Sequence, residues 1–352
     1  MAGTIKIKNI YYMLSYAYQN LRQTGFDHLA SEDFDTIHDL FAAILAQGVA
    51  DQVRRGLYRD YTLREEALSG LRGQIRLAPS IQQQTLSQGK LVCAYDVFTE
   101  DVLHNQILKS TMEMLLRHGD VRRENKKALR KLLLYFGNVR EIDPGAILWK
   151  TLQYHRHNAS YRTLVELCAL AVKGFLLTTE KGSHRLATWL QDEAMHRLYE
   201  KFVLSYYQRH HPSLSPRGAT VEWDLRNFQE AARLPIMKTD ITLSRGEKRL
   251  IIDTKYYNHT MQASFYAKKA TFISGHLYQM YAYVKNSDRE GTGNIAGVVL
   301  YAKTDEAVTP NEDFNLGGNI ISLKTLDLNR EWNAITEQLD RLCEGLYNKV
   351  LS

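Results

Sequence analysis

The segment KTDITLSRGEKRLIIDTKYY, residues 238–257, decides the predicted fold of the second half of the chain. Its two apolar runs have the alternation of β-strands, and they flank an SRGEK connection in which Gly246 can supply the positive φ of a tight turn. We therefore predict a β-hairpin. The runs also contain Asp240, Asp253 and Lys255, whose charges are costly in buried strands unless a partner offsets them. The hairpin is therefore a candidate functional site.

The two-residue period of a β-strand indicates where these charged side chains point. Asp253 and Lys255 share one face of the second strand. A pairing of Leu243 with Arg249 leaves Asp240 one residue out of register with Asp253. A slip or bulge of one residue would then bring the two carboxylates side by side.

Two carboxylates at that range repel each other unless a cation lies between them. Oxygen ligands favour a hard ion such as Mg²⁺, with Mn²⁺ as an alternative. Lys255 could orient an attacking water or stabilise the charge that develops on a scissile phosphate. We therefore expect Asp240 and Asp253 to be metal ligands and, together with Lys255, catalytic residues for phosphodiester hydrolysis.

Asp240 followed by the DTK of residues 253–255 resembles the PD-(D/E)xK nucleases. This resemblance implies a mixed-sheet nuclease domain and a helical glutamate that completes the metal shell. Glu200, at the edge of an apolar helical stripe, is the candidate third metal ligand. Downstream, Gln279 and Tyr283 lie four residues apart on one helical face and are similar to the QxxxY element of some DNA-processing members. Both are possible site residues.

Further segments are similar to the McrC family, the nuclease subunit of the modified-cytosine-dependent McrBC restriction system. They are IKNIYYMLSYAY (7–18), FTEDVLHNQILKST (98–111), RLYEKFV (197–203) and the hairpin itself. The resemblance implies an N-terminal α+β docking domain over residues 1–160 and a PD-(D/E)xK endonuclease domain over residues 161–352. It also implies a McrB-like AAA+ GTPase ring as partner and double-stranded DNA with modified cytosine as substrate.

The order of predicted elements agrees with this fold class. Helices, a hairpin, a crossover helix and further strands indicate an α/β domain with a mixed sheet, in a chain that is α+β overall. A length of 352 residues favours two domains. Near the N terminus we predict a short strand, Ile5 to Ile10, that leads into an amphipathic helix.

Other sequence features exclude several functional classes. No GxxxxGK[ST] motif is present, so GTP would be hydrolysed only through the partner. Cys93, Cys168 and Cys343 are far apart and form no CxxC pair, which indicates buried thiols rather than a zinc site or a disulfide framework. The chain has no apolar run long enough to span a membrane and no secretory signal, so we expect a cytoplasmic protein.

The net charge of +6 is unevenly distributed along the chain. The segment RRENKKALRK, residues 122–131, carries six basic side chains and one acidic side chain. It is either a solvated helix face or a phosphate-contacting patch. Two alternatives to a nuclease therefore stay open. One is a regulator of the GTPase that does not cleave DNA, and the other is a DNA-binding adaptor that uses this basic segment.

Overall fold

The computed structural model of the chain describes residues 5–18, 21, 29, 32, 34–174, 177–180, 183–186, 192–225, 233–256, 261–263, 270–303 and 309–347. The helices are α1 (Ile7–Ala17), α2 (Ile37–Arg55), α3 (Leu77–Gln82), α4 (Leu103–His118), α5 (Arg123–Leu133), α6 (Tyr161–Gly174), α7 (Asp192–His210), α8 (Ser274–Ser287) and α9 (Trp332–Tyr347). Among the described residues, no helix combines the length and the apolar content needed to cross a membrane.

In the described parts of the chain, the strands form one five-stranded sheet, one three-stranded sheet and several two-stranded pairs. They are β1 (Asp60–Leu68), β2 (Gln74–Ile75), β3 (Leu91–Thr99), β4 (Leu177–Glu180), β5 (Ser183–Leu186), β6 (Thr220–Val221), β7 (Met237–Lys238), β8 (Ile241–Arg245), β9 (Lys248–Lys255), β10 (Met261–Ala263), β11 (Ala270–Phe272), β12 (Ile295–Ala302), β13 (Glu312–Leu316) and β14 (Asn319–Leu326).

The chain forms two compact units whose bounds differ from the predicted domains 1–160 and 161–352. The first unit comprises Met1–Phe34 and Leu190–Ser352, and the second comprises Asp35–Trp189. The difference arises because α1 packs with helices of the C-terminal half. Aromatic rings make this contact: Tyr16 meets Phe202 edge-on with centroids 5.7 Å apart, and Tyr12 stacks on Trp332 with centroids 4.6 Å apart. Such pairs stabilise beyond the area they bury.

The predicted strand from Ile5 to Ile10 is wrong, because the chain is already helical from Ile7. The Asn9 side chain donates hydrogen bonds to the backbone oxygens of Leu328 and Arg330, each at 2.8 Å. These partners are more than 300 residues away in sequence. Tertiary contacts therefore override the local polar–apolar alternation that suggested a strand.

The central sheet of the first unit has the strand order β13-β14-β12-β9-β8. Strands β9, β12 and β14 are parallel, whereas β8 and β13 pair antiparallel at the two edges. The predicted mixed sheet is thus confirmed. Helix α8 lies between β9 and β12 in the chain and packs against both strands, so its side chains are brought to the face of β9.

The predicted hairpin is formed by β8 and β9, with Gly246 at a φ of 61° in the turn. Its register differs by one residue from the predicted one, since Leu243 pairs with Leu250 rather than with Arg249. The turn is shorter than assumed because the ladder extends to Lys248. No bulge is therefore needed to bring the two acidic positions together.

A glycine in β12 lets α8 lie close to the sheet. A Cβ atom on Gly297 would lie 2.4 Å from the Met280 sulfur and 2.8 Å from Val284 Cγ2. Met280 and Val284 are fully buried in the core that also contains Ile251 of β9. This close approach holds the face of α8 that carries Gln279 and Tyr283 beside β9.

The second unit combines helices with an antiparallel sheet of order β1-β3-β2. Helix α2 begins at Ile37, where Thr36 caps it by accepting a hydrogen bond from the Asp39 N–H group, and it ends at Arg55, just before Gly56. The close packing of α2 on α6 depends on Gly48, where a Cβ would lie 2.3 Å from Leu164 Cδ2. The three cysteines of the chain are buried free thiols, as predicted.

Asp288 organises the connection between α8 and β12. Its buried carboxylate accepts hydrogen bonds from Thr292 N–H (2.8 Å), Thr292 Oγ1 (2.7 Å), Gly293 N–H (2.8 Å) and Asn319 Nδ2 (2.7 Å). Burial alone would raise the pKa of this carboxyl group. The hydrogen bonds outweigh that effect and lower the pKa to about 2, because they stabilise the ionised form.

We expect Asp288→Asn to lower the free energy of unfolding by about 1–3 kcal/mol, since the amide cannot accept all four hydrogen bonds. The ionised carboxylate stabilises the fold fully above the usual Asp pKa near 4, and this contribution is lost as the pH falls through about 2. Denaturant titrations at several pH values in this range give the free energy of unfolding. This free energy should change less with pH in the variant than in the wild type. Glu290→Gln, an exposed change in the same connection, is the control.

Candidate functional site

Asp240 lies immediately before β8, beside the C-terminal end of β9. Its Oδ2 atom accepts hydrogen bonds from the Thr254 N–H group at 2.7 Å and from Thr254 Oγ1 at 2.9 Å. Thr254 is fully buried, so the contact ties the Asp240 carboxylate to the strand that carries Asp253 and Lys255. The structure therefore brings all three predicted catalytic residues to one end of the hairpin.

Asp253 and Lys255 form a buried ion pair on β9. Their exposed fractions are only 2% and 8%, and Asp253 Oδ2 lies 2.7 Å from Lys255 Nζ. Burial raises the pKa of Asp253 to about 6; the Lys255 charge opposes this rise, and the Asp240 charge adds to it. An additional cation close to the two carboxylates would favour the ionised form of Asp253.

Lys255 is also the start of a chain of hydrogen bonds that reaches α8. Its Nζ donates to Gln279 Oε1 at 3.2 Å, and Gln279 Nε2 donates to the Tyr283 hydroxyl at 2.8 Å. The Tyr283 hydroxyl donates in turn to the Lys238 backbone oxygen at 3.0 Å. Gln279 and the Tyr283 hydroxyl each accept one hydrogen bond and donate the next, so the chain fixes the orientation of the Gln279 amide. The two predicted α8 residues thus contact the site through Lys255.

Glu200 is half-buried on α7. Its pKa is raised by burial and then by the negative charge of Asp240, with a smaller effect from Asp253. Within the described parts of the chain, however, no three His, Cys, Asp or Glu side chains are grouped so that they could hold a metal ion. The described residues do not assemble the predicted set of Asp240, Asp253 and Glu200, and the role of Glu200 stays a prediction.

The pair Asp240 and Asp253 is nevertheless compatible with a hard cation. Asp253 Oδ2 is buried and, among the residues that the structure describes, has no hydrogen-bond donor of good geometry besides its ion-pair contact with Lys255. Mg²⁺ in phosphate-processing sites is commonly held by one or two carboxylates, with waters and phosphate oxygens completing its shell. Two carboxylates are therefore sufficient donors from the protein.

The structure adds two residues that the sequence patterns did not single out. Thr254 orients Asp240, as described above. His276 lies in the first turn of α8, and its Nδ1 atom is 2.9 Å from the Tyr301 hydroxyl. Burial lowers the pKa of His276 to about 4, assisted by the charge of Lys255, so the ring is neutral near pH 7. Its spacing of three and seven residues from Gln279 and Tyr283, on one helical face, is a signal that could have identified it.

The chain is similar to known proteins over most of its length. Residues 4–302 match a family model described as McrBC 5-methylcytosine restriction system component. The chain is 30% identical over 338 residues to the type IV methyl-directed restriction enzyme EcoKMcrBC of Escherichia coli (strain K12). The aligned region covers 95% of this chain and 96% of that protein.

The chain also resembles solved structures. A half-complex from the tetradecameric assembly of Thermococcus gammatolerans McrB AAA+ hexamers with bound McrC matches with a TM-score of 0.52 and 18% identity, over 97% of this chain and 76% of that chain. A cryo-EM structure of the Thermococcus gammatolerans McrBC complex matches with a TM-score of 0.40 and 21% identity, over 58% of each chain. The predicted α+β fold is confirmed by the first match. Together with the family match, the sequence identity shows that this chain belongs to the family of McrBC 5-methylcytosine restriction system components, as its resemblance to McrC implied.

Proposed function

We propose that the chain is the DNA endonuclease subunit of a GTP-dependent restriction complex that acts in the cytoplasm on DNA with modified cytosine. The observation that carries this proposal is the convergence of Asp240, Asp253 and Lys255 at one end of the β8–β9 hairpin. A buried carboxylate and a buried ammonium group are costly in a strand. A role in phosphodiester hydrolysis accounts for their retention, and the methyl-directed restriction enzyme that is 30% identical supports it.

Each residue of the site has a distinct role in this proposal. Asp240 and Asp253 would hold Mg²⁺, or Mn²⁺, which when bound supplies a Lewis acid at the scissile phosphate. Glu200 would be the third carboxylate ligand of the metal. Lys255 keeps a positive charge beside Asp253 and can orient a water or offset the negative charge that develops on the phosphate. Gln279 and Tyr283 would position Lys255 through their hydrogen bonds.

We further propose that the partner is a McrB-like AAA+ GTPase hexamer, which would supply GTP hydrolysis. The chain has no P-loop of its own. A chain of the solved half-complex of McrB AAA+ hexamers with bound McrC has a similar fold, which supports this assignment. Docking was predicted for residues 1–160, and the compact unit Asp35–Trp189 contains most of that range.

The proposal is tested by incubating the chain with purified partner, GTP and Mg²⁺ on methylated and unmethylated DNA. We expect double-strand cleavage that requires methylation, all three components and GTP hydrolysis. Stimulation of the partner's GTPase without any cutting by the intact chain would favour the regulator instead. DNA binding with neither activity would favour the adaptor.

We expect Tyr283→Phe to slow cleavage several-fold and Gln279→Ala to slow it further. The tyrosine hydroxyl reaches Lys255 only through the Gln279 amide, whereas Gln279 contacts Lys255 itself. Single-turnover cleavage rates at saturating DNA measure the effect. Tyr281→Phe, which removes an exposed hydroxyl from the same helix, is the matched control. A Gln279→Ala variant that cuts at the wild-type rate would show that the hydrogen-bond chain does not position Lys255.

A further inference from the structure

The basic segment 122–131 becomes a one-sided cationic surface in the folded chain. It forms α5, in which Leu129 is fully buried while Arg123, Lys127, Arg130 and Lys131 are exposed. Successive helical residues are rotated by about 100°, so the basic side chains from Arg123 to Lys131 lie within a stripe roughly 140° wide. We call this stripe, formed by Arg123, Lys126, Lys127, Arg130 and Lys131, the α5 cationic stripe.

The α5 cationic stripe places five basic side chains on one helix face, and among the described residues none of them has a carboxylate partner. None of its five side chains forms an ion pair with a carboxylate among the described residues, although Glu124 lies in the same helix. Six arginines elsewhere in the unit, by contrast, are paired with acidic side chains: Arg54, Arg59, Arg64, Arg76, Arg117 and Arg140. The stripe therefore presents uncompensated positive charge, which attracts an anionic partner.

The helix that carries the stripe is held firmly at its start. Buried Asp39 accepts a hydrogen bond from the Arg122 backbone N–H at 2.9 Å and another from Asn125 Nδ2 at 2.8 Å, and it is ion-paired with the Arg122 guanidinium group. Arg122 is thus used for the fold, whereas the basic residues after it are not. A fixed helix presents its charges at constant spacing, so less backbone freedom is lost when a partner binds.

We propose that the α5 cationic stripe binds the phosphate backbone of duplex DNA, as a second contact outside the hairpin site. This inference rests on the proposed function, because it assumes that DNA is the substrate. From Arg123 to Lys131 the helix advances about 12 Å, a length over which duplex DNA carries about seven phosphate charges. The stripe contacts phosphates and carries no sequence preference, so it would hold DNA of any sequence and leave recognition of the modified base to another site.

The test replaces Arg123, Lys127 and Arg130 by glutamine in the full chain. Glutamine is a good helix former, so the fold should be retained, and thermal unfolding checks this. The probe is an unmodified duplex of about 30 base pairs, whose binding is followed by fluorescence anisotropy over a range of salt concentrations. Each lost phosphate contact lowers the slope of log K against log salt by about 0.9, so we expect the slope to fall by roughly 2 to 3.

The matched control replaces three exposed basic residues elsewhere in the unit, Lys90, Lys150 and Arg156, by glutamine, which changes the net charge equally. The control should keep the wild-type slope. Equal salt slopes for the two triple variants would overturn the inference. An unchanged slope in the α5 variant together with weaker stimulation of the partner's GTPase would also overturn it, and would indicate that the stripe binds an acidic protein surface instead. If the α5 variant shows either of these results but still cleaves DNA at the wild-type rate, the proposed nuclease function stands and only the α5 contact is removed.

Discussion

Asp253→Asn and Asp240→Asn are each expected to abolish cleavage of methylated DNA by the chain with its partner, GTP and Mg²⁺. An asparagine keeps the shape of the side chain and loses the charge that a divalent cation requires. Asp253 is buried and Asp240 is tied to Thr254, so each carboxylate has a fixed position at the site. The expected loss exceeds the 10²–10³-fold that removing one electrostatic stabiliser typically costs.

Two measurements separate loss of the metal site from loss of the fold. Calorimetric titration with Mn²⁺ should show weakened binding in both aspartate variants, and thermal unfolding should show a native transition for Asp240→Asn. Asp253→Asn also removes the partner of buried Lys255, so some loss of stability is expected there. Glu247→Gln, an exposed change in the turn of the same hairpin, should cut and bind Mn²⁺ normally. Undiminished Mn²⁺ affinity in both aspartate variants would remove the metal assignment.

The hairpin and its charged residues could be predicted because the signals are local. Strand alternation and Gly246 identify β8 and β9, and helical spacing places Gln279 and Tyr283 on one face of α8. The register could not be fixed in the same way. A change of one residue in the turn moves Leu243 from Arg249 to Leu250, and the sequence is compatible with either turn length.

Long-range partners account for the other differences between the predictions and the structure. Nothing near Asn9 in the sequence indicates that it binds the backbone around Leu328, and this contact is part of what joins α1 to the C-terminal half. Likewise, the hydrogen bonds from Thr254 to Asp240 exist only once the two strands pair. Contacts between distant segments decide the unit boundaries and the fine geometry of the site. Local patterns contain no information on those contacts.

The final prediction concerns Lys255, whose ammonium group lies between Asp253 and Gln279. Lys255→Ala should retain DNA binding and stimulation of the partner's GTPase but lose cleavage by roughly 10²–10³-fold, because one preorganised electrostatic stabiliser is removed. Lys255→Arg should not restore cleavage, since the planar guanidinium group differs in size and donor geometry from the compact ammonium. Arg249→Ala, which removes an exposed charge from the same strand, is the matched control.

An indirect effect of Lys255→Ala can be distinguished from a direct one. Without the lysine charge the pKa of Asp253 should rise further, so part of the loss could reflect protonation of that carboxyl group. Cleavage measured at about pH 9 reduces this contribution, because the ionised fraction of Asp253 rises with pH in both proteins. A loss that persists at this pH assigns the lysine to the chemical step, and recovery at this pH assigns it to maintaining Asp253. A Lys255→Ala variant that cuts near the wild-type rate at every pH would contradict both roles, and the nuclease interpretation of residues 253–255 would fail with them.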